Sequence, residues 1–97
     1  MEINTMSPEQ TELFHLGILR VLDQNGTRFG LGIEAIRMRL TPMGFTATAG
    51  DTNKALEYLE DPAIGFVATI HRGHFNPANQ TWKITAPGTN ELRRRGY

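Results

Sequence analysis

The stretch that most restricts what this chain can fold into runs from Gly65 to Thr85. In its first arm Phe66, Ala68 and Ile70 share one parity, and Val67, Thr69 and His71 the other. In its second arm Trp82 and Ile84 alternate with Thr81, Lys83 and Thr85. That two-residue period predicts a pair of half-buried strands. Gly73, Asn76, Pro77 and Asn79 lie between the arms and are turn formers, so the tip is expected to project as a loop. A two-stranded ribbon does not persist alone, and its apolar face needs a surface to rest on. Residues 65–85 are therefore expected to form a hairpin packed on helices supplied by the rest of the chain.

Those helices carry start and stop signals. Residues 1–6 read as a loose end. Ser7-Pro8-Glu9-Gln10 then combines an N-cap serine, a proline at the first helical position, an acid in the first turn and a glutamine three residues after the cap. A first helix is expected over 8–24, stopped by Asn25-Gly26. Phe14, Ile18, Val21 and Leu22 form one stripe, but Leu13, Leu16 and Leu19 lie well round the cylinder from it. Two readings fit a helix that is apolar on more than one face: a central core helix, or a spare face of Leu13, Leu16 and Leu19 packed against a second copy.

Thr27-Arg28-Phe29 reads as a short extended piece. A second helix is expected over 32–41, with Ile33, Ile36 and Leu40 at helical spacing, a stop at Thr41-Pro42, and Arg37 and Arg39 on its polar side. Gly44 can take positive φ in the turn that follows, and Phe45 can plug the core. Thr48 and Asp51 then supply an N-cap and a first-turn acid for a third helix over 49–60. Its buried stripe is Thr52, Ala55, Leu56 and Leu59; its outward face is Asn53, Lys54, Glu57 and Glu60. After the hairpin, Thr85 caps a closing helix over 86–95 with Leu92 turned inward.

Ninety-seven residues suggest one α+β domain, residues 1–97, with a single modest core. Ten basic residues balance ten acidic ones, which argues against strong indiscriminate nucleic-acid binding while leaving room for a local basic surface. The distribution is uneven. Residues 51–62 set Asp51, Glu57, Glu60 and Asp61 against Lys54 alone, whereas 63–97 set Arg72, Lys83, Arg93, Arg94 and Arg95 against Glu91. The absence of cysteine excludes disulfides, thiolate metal sites and a cysteine nucleophile. The first residues lack the pattern of a signal peptide and no segment reaches membrane-spanning length, so a soluble, cytoplasmic protein without a membrane partner is expected.

Other constellations carry little chemistry. His71 and His74 have no evident third ligand, so no metal site is expected. His15 reads as a partly buried helix residue. The carboxylates from Asp51 to Asp61 read as a solvated face without a partner base or nucleophile, so no enzyme and no cofactor are expected. The glycines at 26, 30, 32 and 44 do not make a phosphate loop.

Trp82-Lys-Ile-Thr-Ala-Pro-Gly88 looks like a second wing strand running into a threonine-capped last helix. With the spacing from Leu16-Gly-Ile-Leu-Arg-Val-Leu22 through Gly44-Phe45 to Ala55-Leu56-Glu-Tyr-Leu59, the chain from about residue 8 to 95 resembles winged helix-turn-helix domains. More narrowly, it resembles the small winged-helix proteins of phages and prophages. The resemblance implies a small regulator or phage accessory protein that binds double-stranded DNA, acting as a homodimer through its first and last helices. Its third helix would lie in the major groove and its wing on the backbone. The DNA-contacting roles would then fall on Thr48, Asn53 and Lys54, on Arg72, His74, Asn76, Asn79 and Lys83 around the wing, and on Arg37, Arg93, Arg94 and Arg95 as phosphate contacts. The acidic third helix admits another reading, a winged-helix protein-interaction module that does not bind DNA. The three arginines of the tail likewise read either as a phosphate clamp or as a solvated, disordered end.

Overall fold

The computed structural model describes residues 7–26, 30–70 and 80–97. Four helices and one antiparallel hairpin follow one another as α1 (Pro8–Asn25), α2 (Ile33–Leu40), α3 (Ala49–Glu60), β1 (Val67–Ile70), β2 (Thr81–Ile84) and α4 (Ala86–Arg94). The architecture is α+β.

The helix boundaries follow local rules. Ser7 Oγ accepts from the Gln10 amide at 3.2 Å while the Ser7 amide donates to Gln10 Oε1 at 3.0 Å, closing a reciprocal cap on α1. Thr48 Oγ1 accepts from the Asp51 amide at 3.0 Å and starts α3 with one such bond. Between α2 and α3, Thr41–Met43 tightens into a single 3₁₀ turn, and Gly44 reverses the chain at φ 94° in the left-handed region. Phe45 follows, its ring 5.5 Å from that of Phe14.

The core is built around α1. Phe14, Ile18, Leu19, Val21 and Leu22 are buried with Ile36 and Leu40 of α2, Leu56 and Leu59 of α3, Val67, Trp82 and Ile84 of the hairpin, and Leu92 of α4. Because α2, β2 and α4 all pack on α1, that helix is apolar over most of its circumference. The expectation that Leu13, Leu16 and Leu19 form a spare face is therefore corrected: Leu19 is 1% and Leu16 8% exposed within the chain itself, and Leu13 alone stands out at 51%.

In the hairpin Val67 pairs with Ile84, Ala68 with Lys83, Thr69 with Trp82 and Ile70 with Thr81. Val67 and Thr69 thus share the face of Trp82 and Ile84, and Val67 is the β1 residue that enters the core. On the other edge of β2, Leu31 and Trp82 exchange two backbone hydrogen bonds of 2.9 Å, so the sheet is extended by one bridge at Leu31. Thr27-Arg28-Phe29, where an extended piece is expected, lies outside the described residues.

The junction between hairpin and α4 is tied at one threonine. Thr85 Oγ1 donates to the Gly65 carbonyl at 2.6 Å and accepts from the Gly88 amide at 3.2 Å, while the Thr85 amide donates to the Phe66 carbonyl at 3.0 Å. The first turn of α4 is drawn so close to the backbone entering β1 that a Cβ at Gly88 would collide with the Phe66 carbonyl oxygen.

Candidate nucleic-acid interface and the groove beside it

α3 presents a graded surface. Its buried side is Thr52, Ala55, Leu56 and Leu59; the Thr52 hydroxyl, fully buried, donates to the Thr48 carbonyl at 2.9 Å. Ala49, Gly50 and Lys54 are exposed in its N-terminal half, with Asn53 partly so. Among the described residues the Lys54 side chain has no hydrogen bond or ion pair. Asp51 stands in the first turn, and the other acids of the helix lie further along, where Glu57 accepts from Asn53 Nδ2 at 3.1 Å and Glu60 accepts from the Thr69 hydroxyl on β1.

Arg37 lies beside the entrance to α3 and is held there. Its Nε donates to the Ala47 carbonyl at 2.9 Å, and its Nη1 reaches both carboxylate oxygens of Glu34 at 2.7 and 2.9 Å. The guanidinium therefore ties α2 to the turn before α3. Arg39, also on α2, is exposed and without an ion-pair partner among the described residues. Lys83 sits opposite Ala68, on the hairpin face away from Trp82 and Ile84.

The structure thus places Thr48, Asn53 and Lys54 on one helix, with Arg37 at its start. It does not bring Arg93, Arg94 and Arg95 there. These arginines close α4, where the Tyr97 amide donates to the Leu92 carbonyl at 2.9 Å. Arg93 lies 3.5 Å from Asp23 of α1, Arg94 pairs with Glu91, and Arg95 bridges Glu12 and Glu91. Of the two readings of the tail, the disordered end is corrected: the three side chains are exposed to solvent, but α1 and α4 supply a carboxylate to each guanidinium. Arg72, His74, Asn76 and Asn79 lie outside the described residues, as does His71.

A groove of about 590 Å³ runs between the start of α1 and the exposed side of α3, lined by Thr11, Phe14, His15, Asp51, Lys54 and Tyr58 among others. Its most ordered feature is an aromatic stack, the His15 ring 4.8 Å from the Tyr58 ring at 20°. Burial holds the His15 imidazole below its usual pKa of 6.5 against the opposing pull of Glu12. Tyr58, 53% exposed, is the residue that sequence reading missed. Its only sequence signal is its place four residues after Lys54 on α3, and the stack depends on α1 crossing above it.

Among the described residues no group of three His, Asp or Glu side chains is placed to hold a metal ion, and no helix is long and apolar enough to cross a membrane. Compared with known proteins, the chain matches no family model, and neither a curated protein nor a solved structure matches it significantly.

Proposed function

We propose that this chain is a non-catalytic DNA-binding protein of winged-helix type, with the N-terminal half of α3 as its reading surface and the β1–β2 hairpin as its wing. One observation carries the reading. The outward side of α3 offers the small residues Ala49 and Gly50, the amide Asn53 and the cation Lys54 over its first turns, with Asp51 the one acid among them, while Glu57 and Glu60 fall later and are engaged with Asn53 and Thr69. Helices that dock in the major groove contact base edges with their N-terminal residues, where the helix dipole also favours phosphate. Asn53 can pair with adenine, and Lys54 and Arg39 are cations without an internal carboxylate partner among the described residues. Fluorescence anisotropy with a labelled random duplex tests it. Binding is expected at low salt, to weaken steeply as salt rises, and to weaken on Lys54→Ala. No binding at low salt sinks the proposal.

A second reading has its own observation. Arg37, Arg93, Arg94 and Arg95, four of the cations expected to meet phosphate, are neutralised by Glu34, Asp23, Glu91 and Glu12 within the chain. A protein-interaction module that uses the acidic half of α3 and the groove beside Tyr58 accounts for that arrangement without DNA. Absence of duplex binding at low salt is the result that favours it.

A further inference from the structure

Glu9, Leu13, Leu16 and Arg20 follow one another on α1 at spacings of four, three and four residues, which confines them to a stripe about 60° wide. Glu9 is exposed, Leu13 is 51% exposed and Arg20 is partly exposed, while Leu16 at 8% shows only its edge, so the stripe faces outward at both ends and at Leu13. The Glu9 side chain has no hydrogen-bond or ion-pair partner among the described residues. Arg20 touches no carboxylate among them, its guanidinium lying instead 4.6 Å from the centre of the Tyr97 ring. Acid, apolar, apolar, base is a pattern that complements itself when read backwards.

We propose that this stripe is the contact for a second copy of the chain, with the two α1 helices crossing antiparallel about a twofold axis between Leu13 and Leu16. In that register Leu13 faces the partner's Leu16, and Glu9 of each copy meets the other's Arg20, so one contact places two ion pairs around an apolar centre. The surface beside the stripe supplies a receptacle. A shallow groove of about 220 Å³ is lined by Leu16, Gly17, Arg20, Met43, Phe45 and Tyr97 next to Leu13 itself, and the second copy's Leu13 fills it as a knob fills a hole. The contact is separate from whatever α3 binds.

The charge pattern makes the contact testable on the full-length chain. Glu9 and Arg20 of one copy lie roughly 16 Å apart along the helix axis, too far to pair within a chain. Sedimentation equilibrium at about 0.1 mM chain is expected to give twice the 10.9 kDa chain mass. Glu9→Arg and Arg20→Glu are each expected to weaken the dimer by about tenfold, because each sets like charges against one another twice. The double variant carrying both changes restores it, since the pairs re-form with reversed sign. Leu13→Glu is expected to give a monomer with an unchanged far-ultraviolet spectrum. A monomer mass for the unsubstituted chain, a mass that grows without closing at two, or a double variant no tighter than the singles overturns the proposal.

Discussion

The imidazole of His15 is stacked on the Tyr58 ring at 4.8 Å, with the Phe14 ring 6.3 Å away on its own helix. This pair joins α1 to α3 at the edge of the groove. Protonating His15 places a charge where burial opposes it, while Glu12 alone among the causes of its shift favours the charged form.

Stability is therefore expected to fall with acidity. The folded pKa of His15 is lowered below 6.5, so between the folded value and 6.5 the unfolded chain binds more protons. The contribution is complete above 6.5 and is lost as pH drops through that value and then through the folded pKa. Urea midpoints measured from about pH 7.5 down to about pH 5.5 should decline, and His15→Gln should remove part of the decline. A midpoint as pH-sensitive in His15→Gln as in the unsubstituted chain would mean that the stack is not the titrating element.

Gly88 and Gly50 are both helical glycines, yet alanine is expected to act oppositely at the two. At Gly88 a methyl group meets the Phe66 carbonyl oxygen and comes within 2.8 Å of Ile84 Cγ1, forcing α4 off the hairpin. Gly88→Ala should destabilise by about 2 kcal/mol despite alanine's better helix propensity. At Gly50 the nearest atom to a new methyl group is Thr48 Oγ1 at 3.8 Å. Gly50→Ala should stabilise by about 0.5 kcal/mol, and chemical denaturation of the two variants side by side reads the difference in sign.

Thr81 offers a polar atom that the described residues do not use. Its hydroxyl oxygen is buried without a hydrogen-bond partner among the described residues, on a strand position that suits a β-branched side chain. Thr81→Val keeps the shape and removes the unsatisfied group, so a gain of about 1 kcal/mol is expected in the same denaturation experiment. A decrease of the same size would show that the hydroxyl has a partner in solution.

Much of this architecture is legible in the sequence because its signals are local. Ser7, Thr48 and Thr85 each cap the helix expected of them, and Gly44 takes the positive φ that its turn requires. The faces are less legible. β1 has apolar residues at both parities, and only the pairing of Val67 with Ile84 decides that Val67, rather than Phe66 or Ala68, enters the core. On α1 the pattern does not distinguish a free apolar face from one covered by α2, β2 and α4, which is why Leu16 and Leu19 are buried where a spare face is expected. The order of the arginine tail rests on Arg93 meeting Asp23, seventy positions away in sequence, and on Arg95 meeting Glu12. The stack of Tyr58 on His15 is equally non-local, since no spacing rule relates residues on separate helices.

Arg37 separates a structural role from a DNA-contacting one. Its Nε bond to the Ala47 carbonyl and its fork on Glu34 hold the turn that orients α3, and its side chain is only 33% exposed. Arg37→Ala should lower stability by about 1 kcal/mol whether or not DNA is present. Arg37→Lys should recover little of it, because an ammonium cannot bond the carbonyl and both carboxylate oxygens with the same planar fork. Full stability in Arg37→Ala would assign the side chain to a ligand instead.

The tail arginines and Lys54 should then separate in their response to salt. Removing one phosphate-binding cation by substitution lowers the slope of log affinity against log salt by about 1. Lys54 has no internal partner among the described residues to compete with phosphate, so Lys54→Ala is expected to reduce that slope for a random duplex by about 1. Arg93, Arg94 and Arg95 already face Asp23, Glu91 and Glu12, so replacing all three with alanine should leave the slope nearly unchanged. The triple variant should instead melt earlier, because α4 is then without its ion pairs to α1. A slope that falls by about 3 in the triple variant would mean that duplex DNA draws these side chains away from their carboxylates, and would place the tail in the interface.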